Sequence, residues 1–240
     1  MKKILWLASY PKSGNTWLRS IVSTLLYTNN GYFNFKLLKL IEQYEKKIHF
    51  EFLKKNKKND FKKIINKIEF LSKYWIKSQE NIVYSNNIKP IFNIYKTHSA
   101  NMAINKNPFT SSDLTAGCIY IIRDPREILI SFAHHRGANL NDTIEFMSDI
   151  GAYFPTSDKN LLTYISRWDI HYKSWKKLNT PLLILKYEDL LNNTAMEIEK
   201  ISAFLSKTSK WRMACSARMQ HCSFARSTPR MDTSVAFPAA

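Results

Sequence analysis

The opening of the chain constrains its fold more than any other segment. Ile4–Ser9 is a short apolar run closed by Tyr10 and Pro11, the pattern of a buried strand. Lys12, Ser13, Gly14 and Asn15 make the turn. From Thr16 the apolar residues Trp17, Leu18, Ile21, Val22, Leu25 and Leu26 recur at helical spacing, with Asn15 or Thr16 as the expected cap. Such a unit points the free N–H groups of a helix start, and the positive end of its dipole, at the loop. Gly14 lets the backbone approach an anion, Ser13, Asn15 and Thr16 offer further donors, and Lys12 adds a full charge. The loop reads as a phosphate cradle, although it is not a Walker A loop, because G-x-x-x-x-G-K-[ST] is absent.

The rest of the chain repeats the alternation. Residues 91–95, 117–122 and 182–185 read as further strands. Residues 128–134, 161–175 and 198–205 read as helices, and so does most of 33–80, with Leu37, Leu40, Ile41 and Tyr44 on one stripe. Strands alternating with helices predict an α/β fold, a three-layer, P-loop-like parallel sheet flanked by helices.

Length predicts one domain rather than two, since the chain has 240 residues. The net charge of +17 comes largely from a lysine-rich insertion over 33–90, where Lys54, Lys55, Lys57, Lys58, Lys62 and Lys63 crowd together. Such a run reads as a solvated helical face or as a surface for an acidic partner, and charge alone does not choose. Of the three cysteines Cys118, Cys215 and Cys222, none forms a C-x-x-C pair, so neither a disulfide framework nor a metal site is expected. The apolar run at the start stops at Tyr10-Pro11-Lys12, unlike a signal peptide, and no segment approaches the ~20 apolar residues of a membrane span. The expected setting is cytoplasmic. Composition changes abruptly after Lys210: residues 211–240 contain no Lys, Asn, Ile or Leu. Residues 1–210 are therefore expected to form the domain, and 211–240 an atypical tail, disordered or from a foreign reading frame.

Four motifs carry the chemistry. Pro11-Lys12-Ser13-Gly14-Asn15-Thr16-Trp17 resembles the 5′-phosphosulfate-binding loop of the sulfotransferases that use 3′-phosphoadenosine 5′-phosphosulfate (PAPS), which usually has Thr where this chain has Asn15. Arg123, ending a strand, with Ser131 eight residues on, resembles the family's 3′-phosphate motif, and the arginine offers a bidentate fork. Lys96-Thr97-His98 resembles the segment that holds the family's catalytic histidine. Tyr187, in Lys186-Tyr187-Glu188-Asp189-Leu190, resembles a tyrosine that lies near the adenine.

The resemblance covers residues 4–205 and implies a transfer of a sulfuryl group from PAPS to a hydroxyl or amine. It implies His98 as general base, Lys12 on the leaving oxygen and Lys96 on the negative oxygens, with Lys12, Ser13, Gly14, Asn15, Thr16, Trp17, Arg123, Ser131 and Tyr187 holding the donor. His134 and His135 compete with His98. No metal is required. One family feature is missing: nothing after Lys210 matches the glycine-containing C-terminal segment that closes over the 3′-phosphate. Two rival readings are a P-loop-type nucleotide phosphotransferase and a non-enzymatic basic module that binds nucleic acid. The implied acceptor is a small molecule, a lipid-linked sugar or a carbohydrate, with no nucleic acid and no membrane span expected.

Overall fold

The computed structural model describes residues 3–55, 58–85 and 93–209. Chain order runs β1 (Ile4–Ser9), α1 (Asn15–Tyr27), a 3-10 segment (Phe35–Leu40), β2 (Glu42–Gln43), a second 3-10 segment (Lys47–Lys55), then α2 (Lys58–Asn66), α3 (Ile68–Leu71) and α4 (Trp75–Tyr84). It continues with β3 (Asn93–Thr97), the short hairpin β4 (Ala103–Ile104) and β5 (Asn107–Pro108), β6 (Thr115–Ile122), α5 (Pro125–Arg136) and α6 (Leu140–Ser148). A second small hairpin, β7 (Tyr153–Phe154) and β8 (Thr163–Tyr164), precedes α7 (Trp168–Lys176), β9 (Leu182–Lys186), α8 (Tyr187–Asn192) and α9 (Thr194–Ser209).

Every residue of β1 is buried, as befits a strand covered on both faces. It lies at the centre of a five-stranded sheet in the order β2-β3-β1-β6-β9, all parallel. Alternation along β1 sorts its side chains between two cores. Trp6 packs with Tyr44, Phe109, Trp75 and Trp175 on one face, and Leu5 and Leu7 with Leu18, Ile21, Val22, Ile201 and Leu205 of α1 and α9 on the other. β3 flanks β1 on one side and β6 on the other. The crevice beside the carboxyl end of β1 is the switch point at which open α/β sheets bind ligands. Because the sheet is parallel, the loops after β1, β3, β6 and β9 all open at that edge.

The predicted parallel sheet with helices on both faces is what the chain forms. The second strand begins at Asn93, and residues 91 and 92 lie outside the described residues, as does 211–240. Three local expectations are corrected. The 161–175 run is not one helix. Residues 161–165 are continuously buried, with Thr163 and Tyr164 pairing to Phe154 and Tyr153, and left-handed Ser166 (φ 61°) turns the chain before α7 begins. Residues 33–80 hold short α and 3-10 segments interrupted by β2, which adds an edge strand to β3. Ile41 and Tyr44 are buried there while Leu40 is half exposed, so no single stripe exists. Neither Asn15 nor Thr16 caps α1; the cap position is Gly14, with no side-chain cap. Of the lysine run, Lys54, Lys62 and Lys63 are exposed, and Lys54 pairs with Glu51 at 2.9 Å, as on a solvated face.

Candidate active site

The loop after β1 is bent by two left-handed residues, Lys12 (φ 65°) and Gly14 (φ 95°). For lysine that conformation costs on the order of 1–3 kcal/mol, and such strain persists where the surroundings fix it, characteristically at functional sites. Gly14 is required for a second reason: a Cβ there would lie 2.6 Å from Tyr187 Cδ2. The first intrahelical bond runs from Leu18 N to Gly14 O, 3.1 Å, so the N–H groups of the first turn belong to those a helix leaves without internal partners. Ser13 is buried and its Oγ has no partner. Asn15 differs from the expectation for its side chain. The amide is buried and donates inward to Leu7 O (3.0 Å) and Ser9 Oγ (3.1 Å), stapling the loop to β1. Thr16 is exposed at the loop's rim.

Arg123 follows β6 and closes the loop's far side. Its Nη1 donates to Lys12 O at 3.2 Å, its Nη2 lies 3.5 Å from Glu127 Oε2, and its guanidinium sits 4.4 Å from the centre of the Tyr187 ring. Its Nε is buried without a partner. Asp124 does not pair with it; that carboxylate caps α5 and holds Arg126 at 2.6 Å. Ser131 is four residues on from Glu127, hence on the helix face that Arg123 meets. Tyr187, the first residue of α8, meets Trp17 edge-on at 5.7 Å, and the Trp17 Nε1 is likewise buried without a partner. Lys12, Ser13, Gly14, Trp17, Arg123 and Tyr187 thus converge on one crevice.

The base lies beside it. β1 and β3 are in register, Leu7 opposite Lys96 and Ala8 opposite Thr97, so Lys96 points to the α1 face of the sheet. His98 follows the strand end, and its Nδ1 lies 2.9 Å from Ser9 O. A carbonyl only accepts, so Nδ1 carries the proton and Nε2 keeps its lone pair. Burial, with Lys96 second, holds the His98 pKa well below the usual imidazole range, which keeps the ring neutral. Burial and the charge of Arg19 bring Lys96 down to about 8, and burial with Arg123 lowers Lys12. His134 and His135 are exposed on α5, and His135 feels the charges of Lys12 and Lys96 from the crevice mouth.

Three further residues surround the base, and no local motif announced them. His171, buried on α7, donates Nε2–H to His98 O (3.0 Å) and accepts from Tyr120 OH (2.8 Å). Glu45 accepts from Thr97 Oγ1 and from Ser99 Oγ (2.7 Å). Arg19 of α1 donates to Leu38 O at 2.5 Å, anchoring the first 3-10 segment. Among the described residues no cluster of three or more His, Cys, Asp or Glu side chains could hold a metal ion, and no helix is long and apolar enough to cross a membrane.

The loop after β1 and the imidazole after β3 thus lie together at the switch point of a parallel sheet. The sulfotransferase domain model matches residues 2–229, and the chain belongs to that family. Relatives include sulfotransferase 1B1 of Mus musculus, 26% identical over 210 residues, and 3-alpha-hydroxysteroid sulfotransferase of Cavia porcellus, 25% over 206 residues. Each alignment covers 84% of this chain and 58% of the relative. The chain thus spans under two thirds of their length. A crystal structure of retinol dehydratase in a complex with retinol and PAP shares the fold, with TM-score 0.53 and 20% identity over 92% of this chain and 64% of that one.

Proposed function

We propose that this chain transfers a sulfuryl group from PAPS to a hydroxyl or amine. The observation that carries the reading is the pairing of an anion crevice with a fixed base: Arg123 meets Lys12 at the loop after β1, and His98, its Nδ1–H tied to Ser9 O, follows the neighbouring strand β3. The buried, partnerless Ser13 Oγ, Trp17 Nε1 and Arg123 Nε suit an anionic nucleotide, whose phosphates would supply the missing acceptors. When bound, such a donor supplies an electrophilic sulfur. Lys12 and the N–H groups of the first α1 turn would hold the 5′-phosphate side, Arg123 and Ser131 the 3′-phosphate, and Tyr187 and Trp17 the base. His98 Nε2 takes the proton of the acceptor, and Lys96 offsets negative charge on the transferred group's oxygens. Positioning and fixed charge carry most of the acceleration.

The acceptor is a small hydroxyl-bearing molecule, and an apolar one fits the exposed Tyr32, Phe35 and Leu40 around the segment that Arg19 anchors. A reducing, cytoplasmic setting fits Cys118, buried and unpaired.

The test titrates adenosine 3′,5′-bisphosphate, ATP–Mg²⁺ and an oligonucleotide against the full chain and then assays labelled sulfuryl transfer to an acceptor panel. Preference for the bisphosphate with transfer supports the reading. Preference for ATP–Mg²⁺ points to the phosphotransferase and preference for the oligonucleotide to the nucleic-acid module; either overturns it.

A further inference from the structure

Two glutamates are buried among the described residues, Glu45 and Glu197, each 3% exposed. Glu197 is paired with Lys200, whereas no ion pair among the described residues includes Glu45. Glu45 follows β2 in the lysine-rich insertion, far in sequence from any motif. Its Oε1 receives the hydroxyls of both residues that flank His98, Thr97 and Ser99, and Ser99 N also donates to Thr97 Oγ1 at 2.9 Å. Its Oε2 is buried with no hydrogen-bond partner. A bracket for the turn needs only an acceptor, and a neutral amide oxygen would serve without the cost of desolvating a charge. A carboxylate in such a place also acts on the charge of its neighbours. Lys96, in register with Leu7 on the α1 face, directly precedes the Thr97 that Glu45 holds.

We infer that Glu45 is a positioning residue for the transfer site, bracketing His98 through Thr97 and Ser99. The inference rests on the sulfotransferase reading for its purpose and on the geometry for its existence. Of the groups acting on Lys96, burial and Arg19 favour loss of its proton and Glu45 favours keeping it. Glu45 thus holds the Lys96-Thr97-His98 segment at Thr97, between the cation and the base, through one carboxylate.

The test needs no turnover. In the full chain with ¹³C-labelled lysine, the Lys96 signal, assigned by its loss in Lys96→Met, titrates near 8. In Glu45→Gln, which keeps the accepting oxygen, the midpoint falls, with about tenfold weaker proton affinity. In Ser99→Ala, which leaves the charge and removes one bracket bond, the Lys96 midpoint stays. There the His98 Nδ1–H exchanges about tenfold faster with water. An unmoved Lys96 midpoint in Glu45→Gln overturns the charge role, and unchanged exchange in Ser99→Ala overturns the bracket. Should Glu45→Gln not fold, the Ser99→Ala exchange alone decides. In an active chain the alkaline limb of kcat moves to lower pH in Glu45→Gln only. A chain that transfers no sulfuryl group yet shows both spectroscopic effects refutes the proposed function and leaves the role of Glu45 standing.

Discussion

The two ends of the crevice are built in opposite ways. At the anion end, Ser13 Oγ, Trp17 Nε1 and Arg123 Nε are buried with nothing to bond. At the base end the groups that hold His98 are spoken for, although Glu45 Oε2 has no partner: Ser9 O takes His98 Nδ1, His171 takes His98 O, Trp175 Nε1 donates to Ser99 O at 3.0 Å, and Ala100 N donates to Tyr164 O at 2.8 Å. Each unmet buried donor costs about 1–3 kcal/mol. The first end is thus completed by a ligand, whereas the groups that hold His98 are paired beforehand, which is how a base is held at the angle proton transfer requires. Damage to one end should therefore appear in rate, and damage to the other chiefly in affinity.

The largest effect should come from the finished end. His98→Gln is expected to lower kcat about 10²–10⁴-fold, the usual contribution of a general base, while affinity for adenosine 3′,5′-bisphosphate stays within twofold. Single-turnover rates and equilibrium titration of the same sample measure both. Retained activity in His98→Gln, with loss in His135→Gln, would move the base to α5 and end the contrast. Lys12 stands on the boundary. Lys12→Ala is expected to cost about 10²–10³-fold in kcat with a smaller loss of affinity, since charge on the leaving oxygen grows only as sulfur departs. Equal losses in both would assign Lys12 to ground-state binding.

The anion end could be read in the sequence and the base end only in part, for a physical reason. The cradle is local: β1, the loop and α1 follow one another, and Pro11–Trp17 declares its own geometry. Asn15 was legible as a polar residue but not as an inward staple, since only the fold sets Leu7 O and Ser9 Oγ within its reach. The partners of His98 lie 52 to 89 residues away from what they hold, as Glu45 with Thr97 and Ser9 with His98 illustrate. Glu45 sits in a stretch whose 3-10 turns carry no 3.6-residue period, and His171 lies in a run that imitates one long helix. Both look like ordinary surface-helix residues until β2 and the β7–β8 hairpin place them.

The way the base end is built has a cost that pH reveals. Burial lowers His171 from 6.5 to about 4, and lowers His98 and His49 as well. The folded chain then binds fewer protons than the unfolded one between pH 4 and 6.5, so stability should fall as pH drops through that window. For His171, fully buried, the loss is about 3 kcal/mol. Urea titrations at pH 7 and pH 4.5 measure it, with His171→Gln as the control that flattens the slope. A slope that His171→Gln leaves unchanged would show that the relay from Tyr120 to His98 is not what resists protonation.

The smallest effect belongs to the far edge of the unfinished end. Arg123→Ala is expected to weaken adenosine 3′,5′-bisphosphate by about 1.5–3 kcal/mol, the range for a charge-assisted hydrogen bond. Arg123 also donates to Lys12 O and stacks on Tyr187, so its removal loosens the loop for every nucleotide. The discriminating ligand is the 5′-monophosphate, which shares the loop contacts and lacks the 3′-phosphate. Calorimetry with both ligands separates the two causes: the bisphosphate should lose the larger share, and its dependence on salt should flatten, because one fixed charge facing phosphate is gone. Replacement by Lys keeps the charge and removes the fork that reaches Lys12 O and Glu127 together, so Arg123→Lys should recover only part of the loss. Identical losses for the two ligands would make Arg123 a brace of the loop alone, and the 3′-phosphate would then fall to Ser131 and α5.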